Sequence, residues 1–173
     1  MSVEIVYETH STTTDNEDGV ATGWRPGRLS GSGRRQAESL GRRHLGLAAV
    51  FSSDLARAVE TARLAFPGVS LREDRRLREC DYGSLTGMPV ARLHAERLSH
   101  VDLSWPDGES YRDVVDRTRS FLRDLRGWDG SRVLLIAHSA NRWALEHLLL
   151  DRDLAELVAE PSAWQPGWTY TLP

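Results

Sequence analysis

Lysine is absent from this chain: all 22 basic residues are arginine. That removes Schiff-base chemistry on a lysine and any P-loop lysine from the reactions open to the protein. Cysteine is almost absent too. Cys80 stands alone, so no intramolecular disulfide can form, and beside Glu79 it reads as a small packed residue in preference to a reactive thiolate. No apolar run approaches the roughly 18 residues of a membrane span, and the N-terminus lacks both a basic region and a long apolar region of the secretory kind. A cytoplasmic protein without a membrane partner is the expectation. A net charge of -3, with 27% charged residues spread along the whole length, offers no basic face or tail to nucleic acid. Neither Ser11 nor Ser139 sits in a Gly-x-Ser-x-Gly elbow, which argues against a serine hydrolase.

What is present suits one domain spanning residues 1–173: 173 residues, 40% of them hydrophobic, can bury a proper core. The periodicity alternates between two kinds of segment. "SVEIVYE", "HLGLAAVFSS" and "RVLLIAHS" hold continuous or β-branched apolar runs fit for strands buried on both faces. Between them lie helical patterns. "SGRRQAESLGRRHL" has Ser32 as its candidate N-cap, and "SDLARAVETARLAF" puts Leu55, Val59, Ala62 and Phe66 on one face. "GESYRDVVDRTRSFLRDLRGW" opens with Ser110 and Asp113 at capping-box spacing, and "ANRWALEHLLL" follows the last apolar strand directly. Strands alternating with helices predict an α/β fold, a three-layer α/β/α sandwich on a mostly parallel sheet. The terminal "SAWQPGWTYTLP", with its prolines, is expected to add an edge strand.

In open α/β sheets ligands gather beyond the carboxyl ends of the strands, and His10 and His138 each follow an apolar strand. One histidine so placed is usually a hydrogen-bonded surface residue; two at one rim point to chemistry. The remaining histidines, His44, His94, His100 and His147, lie among charged neighbours in helical stretches and read as solvated. Trp24, Tyr82 and Trp143 are aromatic candidates for a pocket wall, although aromatic residues mostly serve packing.

Several ordered motifs now resemble the histidine phosphatase superfamily, to which the cofactor-dependent phosphoglycerate mutases belong. "GRLSGSGRRQA" is similar to its Leu-Thr-x-x-Gly-x-x-Gln-Ala segment, through Leu29, Ser30, Gly33, Gln36 and Ala37. "SSDLARAVETA" resembles the Ser-x-Leu-x-Arg-Ala-x-x-Thr-Ala signature through Ser53, Leu55, Arg57, Ala58, Thr61 and Ala62. "LRECDYGSLTG", "DGESYRDVVDR" and "LLIAHS" look like the proton-donor segment, the Gly-Glu-Ser helix start and the strand before the second active-site histidine. The resemblance implies a phosphoglycerate mutase-like fold and catalytic roles for His10, Glu79 and His138. It implies a phosphate contact at Arg57 and Asn16. The short segment between Glu79 and Gly-Glu-Ser favours the phosphatase branch over the mutases, with a small phosphorylated metabolite as substrate.

The chemistry can be argued beside the name. Phosphoryl transfer spreads charge over equatorial oxygens, so it needs an in-line nucleophile among fixed donors. Neutral His10 can attack phosphorus and form phosphohistidine. Arg57 offers a bidentate fork, Ser139 stands at a helix N-terminus, and Glu79 would protonate the leaving oxygen if its pKa is raised. The scheme calls for no metal and no cofactor.

One motif departs from the family. Where the family reads Arg-His-Gly, this chain reads Thr9-His10-Ser11, while Thr13 and Asn16 keep the downstream register. A missing preorganised donor costs about 10²–10³ in rate. Thr9, Ser11, Thr12 and Thr13 are neutral replacements, and Arg25, Arg28 or Arg142 could swing in. Two alternatives stay open: a family member whose substrate is not a simple phosphomonoester, or a non-catalytic anion-binding module. A metal triad of His10, His138 and Glu79 is a third, disfavoured by the lack of a second ligand at helical spacing.

Overall fold

The computed structural model describes residues 1–161 and 165–173. Five strands form one sheet in the order β3-β2-β4-β1-β5. They are β1 (Val3–Thr9), β2 (Ala49–Ser52), β3 (Leu71–Glu73), β4 (Arg132–Ala137) and β5 (Trp168–Leu172). All neighbours are parallel except β5, which pairs antiparallel with β1 at one edge. The expected edge strand is therefore present. Ser162 to Trp164, at the start of the stretch in which it was expected, lie outside the described residues.

The α-helices of the described residues are α1 (Thr14–Glu17), α2 (Gly31–Arg43), α3 (Ala56–Ala65), α4 (Val90–Glu96), α5 (Tyr111–Leu125), α6 (Ser139–Leu150) and α7 (Leu154–Ala159). Strand alternation divides them between the two faces. Ile5, Tyr7, Val133 and Leu135 pack with Phe121, Leu122 and Leu125 of α5 and Leu145 of α6. Val6, Leu134 and Ile136 turn the other way, onto Leu40 of α2 and Ala58 and Ala62 of α3. Both faces of β1 and β4 are covered, which is why these strands read as unbroken apolar runs. A third cluster, with Trp105, Tyr111 and Trp143 at its centre, joins α6 and α7 to the long connection before α5.

The helix starts follow local chemistry. Ser110 caps α5, with Asp113 returning the bond to its backbone, as the spacing predicts. At α2 the expectation needs correction: the N-cap is Ser30, whose hydroxyl accepts from Gly33 N at 3.1 Å, and Ser32 is already helical. Ser30 is extended (φ -73°, ψ 172°) and so turns the chain into the helix, whereas Ser32 Oγ lies 2.8 Å from Glu17 Oε1. Gly33 faces the loop after β1 so closely that a Cβ would stand 1.9 Å from the Thr12 carbonyl oxygen. Only glycine lets α2 approach that loop.

Candidate active site

His10 and His138 are neighbours because their strands are. Thr9 pairs with Ala137 across β1 and β4, and the His10 amide donates to the Ala137 carbonyl at 3.0 Å. The two rings are then 5.1 Å apart between centroids. Each ring is oriented by different partners. His10 Nδ1 lies 2.8 Å from the Ser11 carbonyl and so carries the proton, leaving Nε2 to accept from Arg57 Nε at 3.3 Å. His138 Nε2 meets Ser53 Oγ at 2.7 Å, its Nδ1 meets Arg57 Nη2 at 3.3 Å, and the Tyr7 hydroxyl donates to its carbonyl.

Arg57, on the first turn of α3, is 1% exposed. It also donates to the carbonyls of Arg25 and Gly23, each at 2.8 Å. Four of its five N–H groups are thereby directed at two carbonyls and two imidazoles. Burial, reinforced by the Arg57 charge, pulls the His10 pKa down to about 3 and holds His138 well below the usual histidine range. Both imidazoles are neutral at physiological pH.

Glu79 approaches the same space from the loop before α4. Its Oε1 accepts from Cys80 N at 2.8 Å and from Ala140 N, in the first turn of α6, at 3.3 Å. Burial raises its pKa against the opposing pull of those amides and of Arg57. The backbone beneath it is clamped. Arg117 of α5 donates to the Glu79 carbonyl at 2.9 Å and forms a two-pronged pair with Glu109, while Trp24 Nε1 donates to that same carbonyl at 2.7 Å. Arg117 and Ser53's contact with His138 were not assigned roles from sequence. The eight-residue step from Glu109 to Arg117 inside "GESYRDVVDR" was the available signal.

The loop carrying His10 is held from below. Ser11 N donates to Thr61 Oγ1 at 3.0 Å, and Thr12 is bonded through both N and Oγ1 to Gln36 Oε1. Thr13 is the N-cap of α1, in a reciprocal pair with Asn16. Its hydroxyl is thus engaged in a helix start. His10, Asn16, Arg57, Glu79 and Ser139 line one cleft of about 350 Å³, with Tyr82 and Trp143 in its wall. Thr9 and Ser11 border a neighbouring recess that His10 shares, beside Arg35, Gln36 and Arg43. Trp24 acts through its bond to Glu79.

His44 differs from the sequence expectation of solvation. The His44 side chain is 9% exposed and, with Arg43, binds Glu8, itself buried at 2%. His94 lines the cleft, as does Arg97, a residue that sequence reasoning did not single out. Among the described residues no three His, Cys, Asp or Glu side chains gather to hold a metal ion, so the alternative triad His10, His138 and Glu79 is not assembled as a ligand set.

A neutral imidazole, a guanidinium and a carboxyl group of raised pKa line one cleft, with the second imidazole, His138, buried against His10 and Arg57; this makes a site for phosphoryl chemistry, and the comparisons agree. The chain belongs to the histidine phosphatase superfamily (branch 1), whose family model matches residues 9–161. A 2,3-bisphosphoglycerate-dependent phosphoglycerate mutase of Methylobacterium sp. (strain 4-46) is 30% identical, covering 92% of this chain and 86% of its own. A probable phosphoglycerate mutase of Citrobacter koseri is 28% identical over 96% of this chain and 90% of its own. Among solved structures, mycobacterial glucosyl-3-phosphoglycerate phosphatase superposes with a TM-score of 0.80 at 27% identity, over 92% of this chain and 84% of that one. Relatives and neighbours are thus phosphatases and mutases, which supports a phosphatase-type enzyme.

Proposed function

We propose that the protein is a phosphoric monoester hydrolase of the histidine phosphatase type, acting on a small phosphorylated metabolite through a phosphohistidine on His10. The observation that carries this reading is the tautomer of His10. With Nδ1–H committed to the Ser11 carbonyl, the Nε2 lone pair is presented beside Arg57 in the cleft, on an imidazole that stays neutral above about pH 3.

In the first step Nε2 forms a bond to phosphorus as the ester P–O bond breaks, and Glu79 gives its proton to the leaving oxygen. Its raised pKa favours the protonated form this requires. In the second step Glu79 takes a proton from water, the hydroxide oxygen attacks phosphorus, and the N–P bond breaks to release inorganic phosphate. Arg57, Asn16 and the α6 N-terminus at Ser139 supply donors to the transferring oxygens, with Arg57 turning toward phosphate the N–H groups that it now directs at the histidines. Thr9 and Ser11 contribute neutral hydroxyls near the loop, Thr13 holds Asn16 in place through the α1 cap, and His138 is the second imidazole of the phosphate pocket. The substrate is a free small molecule, met in the cytoplasm; the chain's charge distribution offers nothing to nucleic acid.

The test is a substrate screen with acid-labile label trapping. The wild type is expected to hydrolyse a set of phosphate esters and to carry a base-stable, acid-labile phosphoryl group when quenched in base. His10→Ala loses both. Full turnover in His10→Ala ends the phosphohistidine proposal, and a wild type that binds phosphate without hydrolysing any ester favours the anion-binding alternative.

A further inference from the structure

Beside the catalytic cleft lies a recess whose α2 wall no step of the proposed reaction uses. It encloses about 430 Å³, against about 350 Å³ for the cleft, and His10 borders both. The sheet topology opens it. β5 pairs with β1 only as far as Trp168, opposite Tyr7, so among the described residues no strand flanks β1 on that side at Glu8 and Thr9. One face of α2 forms the other wall, with Arg35, Ser39 and Arg43 at the i, i+4, i+8 spacing that stacks side chains in a single row. Each arginine thus stands one turn, roughly 6 Å along the axis, from the central serine.

This wall is rich in donors. Arg35 is exposed and has no carboxylate or hydrogen-bond partner among the described residues. Arg43 gives Nη2 to Glu8 Oε1 at 2.9 Å and keeps Nε and Nη1 unengaged. Glu8, 2% exposed, also meets His44 Nε2 at 2.7 Å, so the one carboxylate of the recess is already partnered and serves to fix the Arg43 head. Gln36 gives its Oε1 to Thr12 N and Oγ1, at 3.1 and 2.9 Å, which leaves Nε2 as its unengaged end. Two guanidinium groups against one carboxylate leave the recess net positive. We propose that it is an accessory oxyanion site, seating a phosphate-type dianion over Ser39 between Arg35 and Arg43. Such an ion carries acceptors on every side, which matches a wall of guanidinium, amide and hydroxyl donors. Its source is either free inorganic phosphate or the phosphoryl end of a small organic molecule. Binding there is independent of the hydrolysis proposed above, and through the Gln36–Thr12 bonds it abuts the loop that carries His10.

A site-resolved NMR titration of the amide resonances with inorganic phosphate tests this apart from turnover. Amides of residues 35–43 report the recess, and those of Asn16 and Ser139 report the cleft. In the wild type the α2 amides are expected to shift saturably with phosphate and to stay in place with chloride at equal ionic strength. Arg35→Gln is expected to weaken the α2 midpoint about fivefold or more, the scale of one exposed charge pair. Ser39→Glu, which puts a carboxylate where the ion would lie, is expected to abolish the α2 shifts. Both side chains are exposed, and circular dichroism checks that each variant folds. Methylphosphonate separates the two sources: it matches phosphate if the ligand is the end of an organic molecule and binds more weakly if the ligand is the free ion. No saturable α2 shift, a shift that chloride reproduces, or a midpoint unchanged in Arg35→Gln overturns the proposal. An α2 shift that depends on Arg35 while the cleft amides stay silent upholds the recess and counts against the catalytic reading.

Discussion

Replacing Glu79 by glutamine separates the proton it carries from the shape it fills. The glutamine oxygen can keep both bonds that Oε1 accepts, from Cys80 N at 2.8 Å and Ala140 N at 3.3 Å, so the loop clamped by Arg117 and Trp24 is expected to stay in place. What is lost is the acid. General acid catalysis contributes about 10²–10⁴ in rate, or about 2.7–5.4 kcal/mol at 1.36 kcal/mol per tenfold. That loss should depend on the leaving group. The contrast is read in kcat/KM, which reports the first step and not the later attack of water that Glu79 also assists: with an alkyl phosphate, whose alkoxide needs a proton, kcat/KM is expected to fall by about the full factor, and with p-nitrophenyl phosphate, whose leaving group departs as an anion, it is expected to be nearly spared. Stability gives an independent readout. The Glu79 pKa is raised in the folded state, so its contribution is present below the unfolded pKa and lost as pH rises through the folded one. Glutamine has no such loss. The urea midpoint of Glu79→Gln relative to wild type is therefore expected to be higher at pH 8 than at pH 4. An equal loss of kcat/KM on both esters, or a midpoint difference that does not change with pH, refutes the buried-acid argument.

The His10→Ala experiment tests the nucleophile as described above. Thr9→Arg, alone or with Ser11→Gly, is expected to raise kcat/KM for an aryl phosphate about tenfold or more, because it returns a guanidinium to the strand end next to His10. A normally folded variant with flat turnover would show that the pocket was rebuilt for another ligand. Gly33→Ala places a Cβ 1.9 Å from the Thr12 carbonyl, and overpacking of this kind costs about 1–3 kcal/mol. An unchanged melting temperature would contradict the close approach of α2 to the His10 loop.

Strands β1, β2, β4 and β5 and the two site histidines were legible because they depend on short-range pattern, whereas β3, three residues with no apolar run, was not read. Apolar runs ending at Thr9 and Ala137 mark β1 and β4, and parallel pairing then brings the following residues together. Ser110 and Asp113 form a cap within four residues of chain, so spacing alone finds it. At α2 the same logic met two serines a half-turn apart, and the loop geometry around Thr12 chose Ser30. His44 was misread because its partner Glu8 is 36 residues away and sits in a strand, where the alternation places it toward α2. Arg117 and Arg97 act across the fold, on the Glu79 backbone and on the cleft wall, and no local pattern separates them from the other arginines of a lysine-free chain.

The cleft joins two walls of unequal stiffness. One is the end of a hydrogen-bonded sheet, with His10 and His138 tied to neighbouring strands and to buried α3. The other is α4, a helix of seven residues without a side-chain cap and without a buried residue of its own, followed by the 3₁₀ turn that holds Arg97. Segments so weakly anchored open at a free energy well below that of global unfolding. Amide hydrogens of residues 90–100 are therefore expected to exchange by local opening, and those of β1 and β4 only with the whole domain. The cleft is then expected to open on its α4 side, with the spacing of the imidazoles undisturbed.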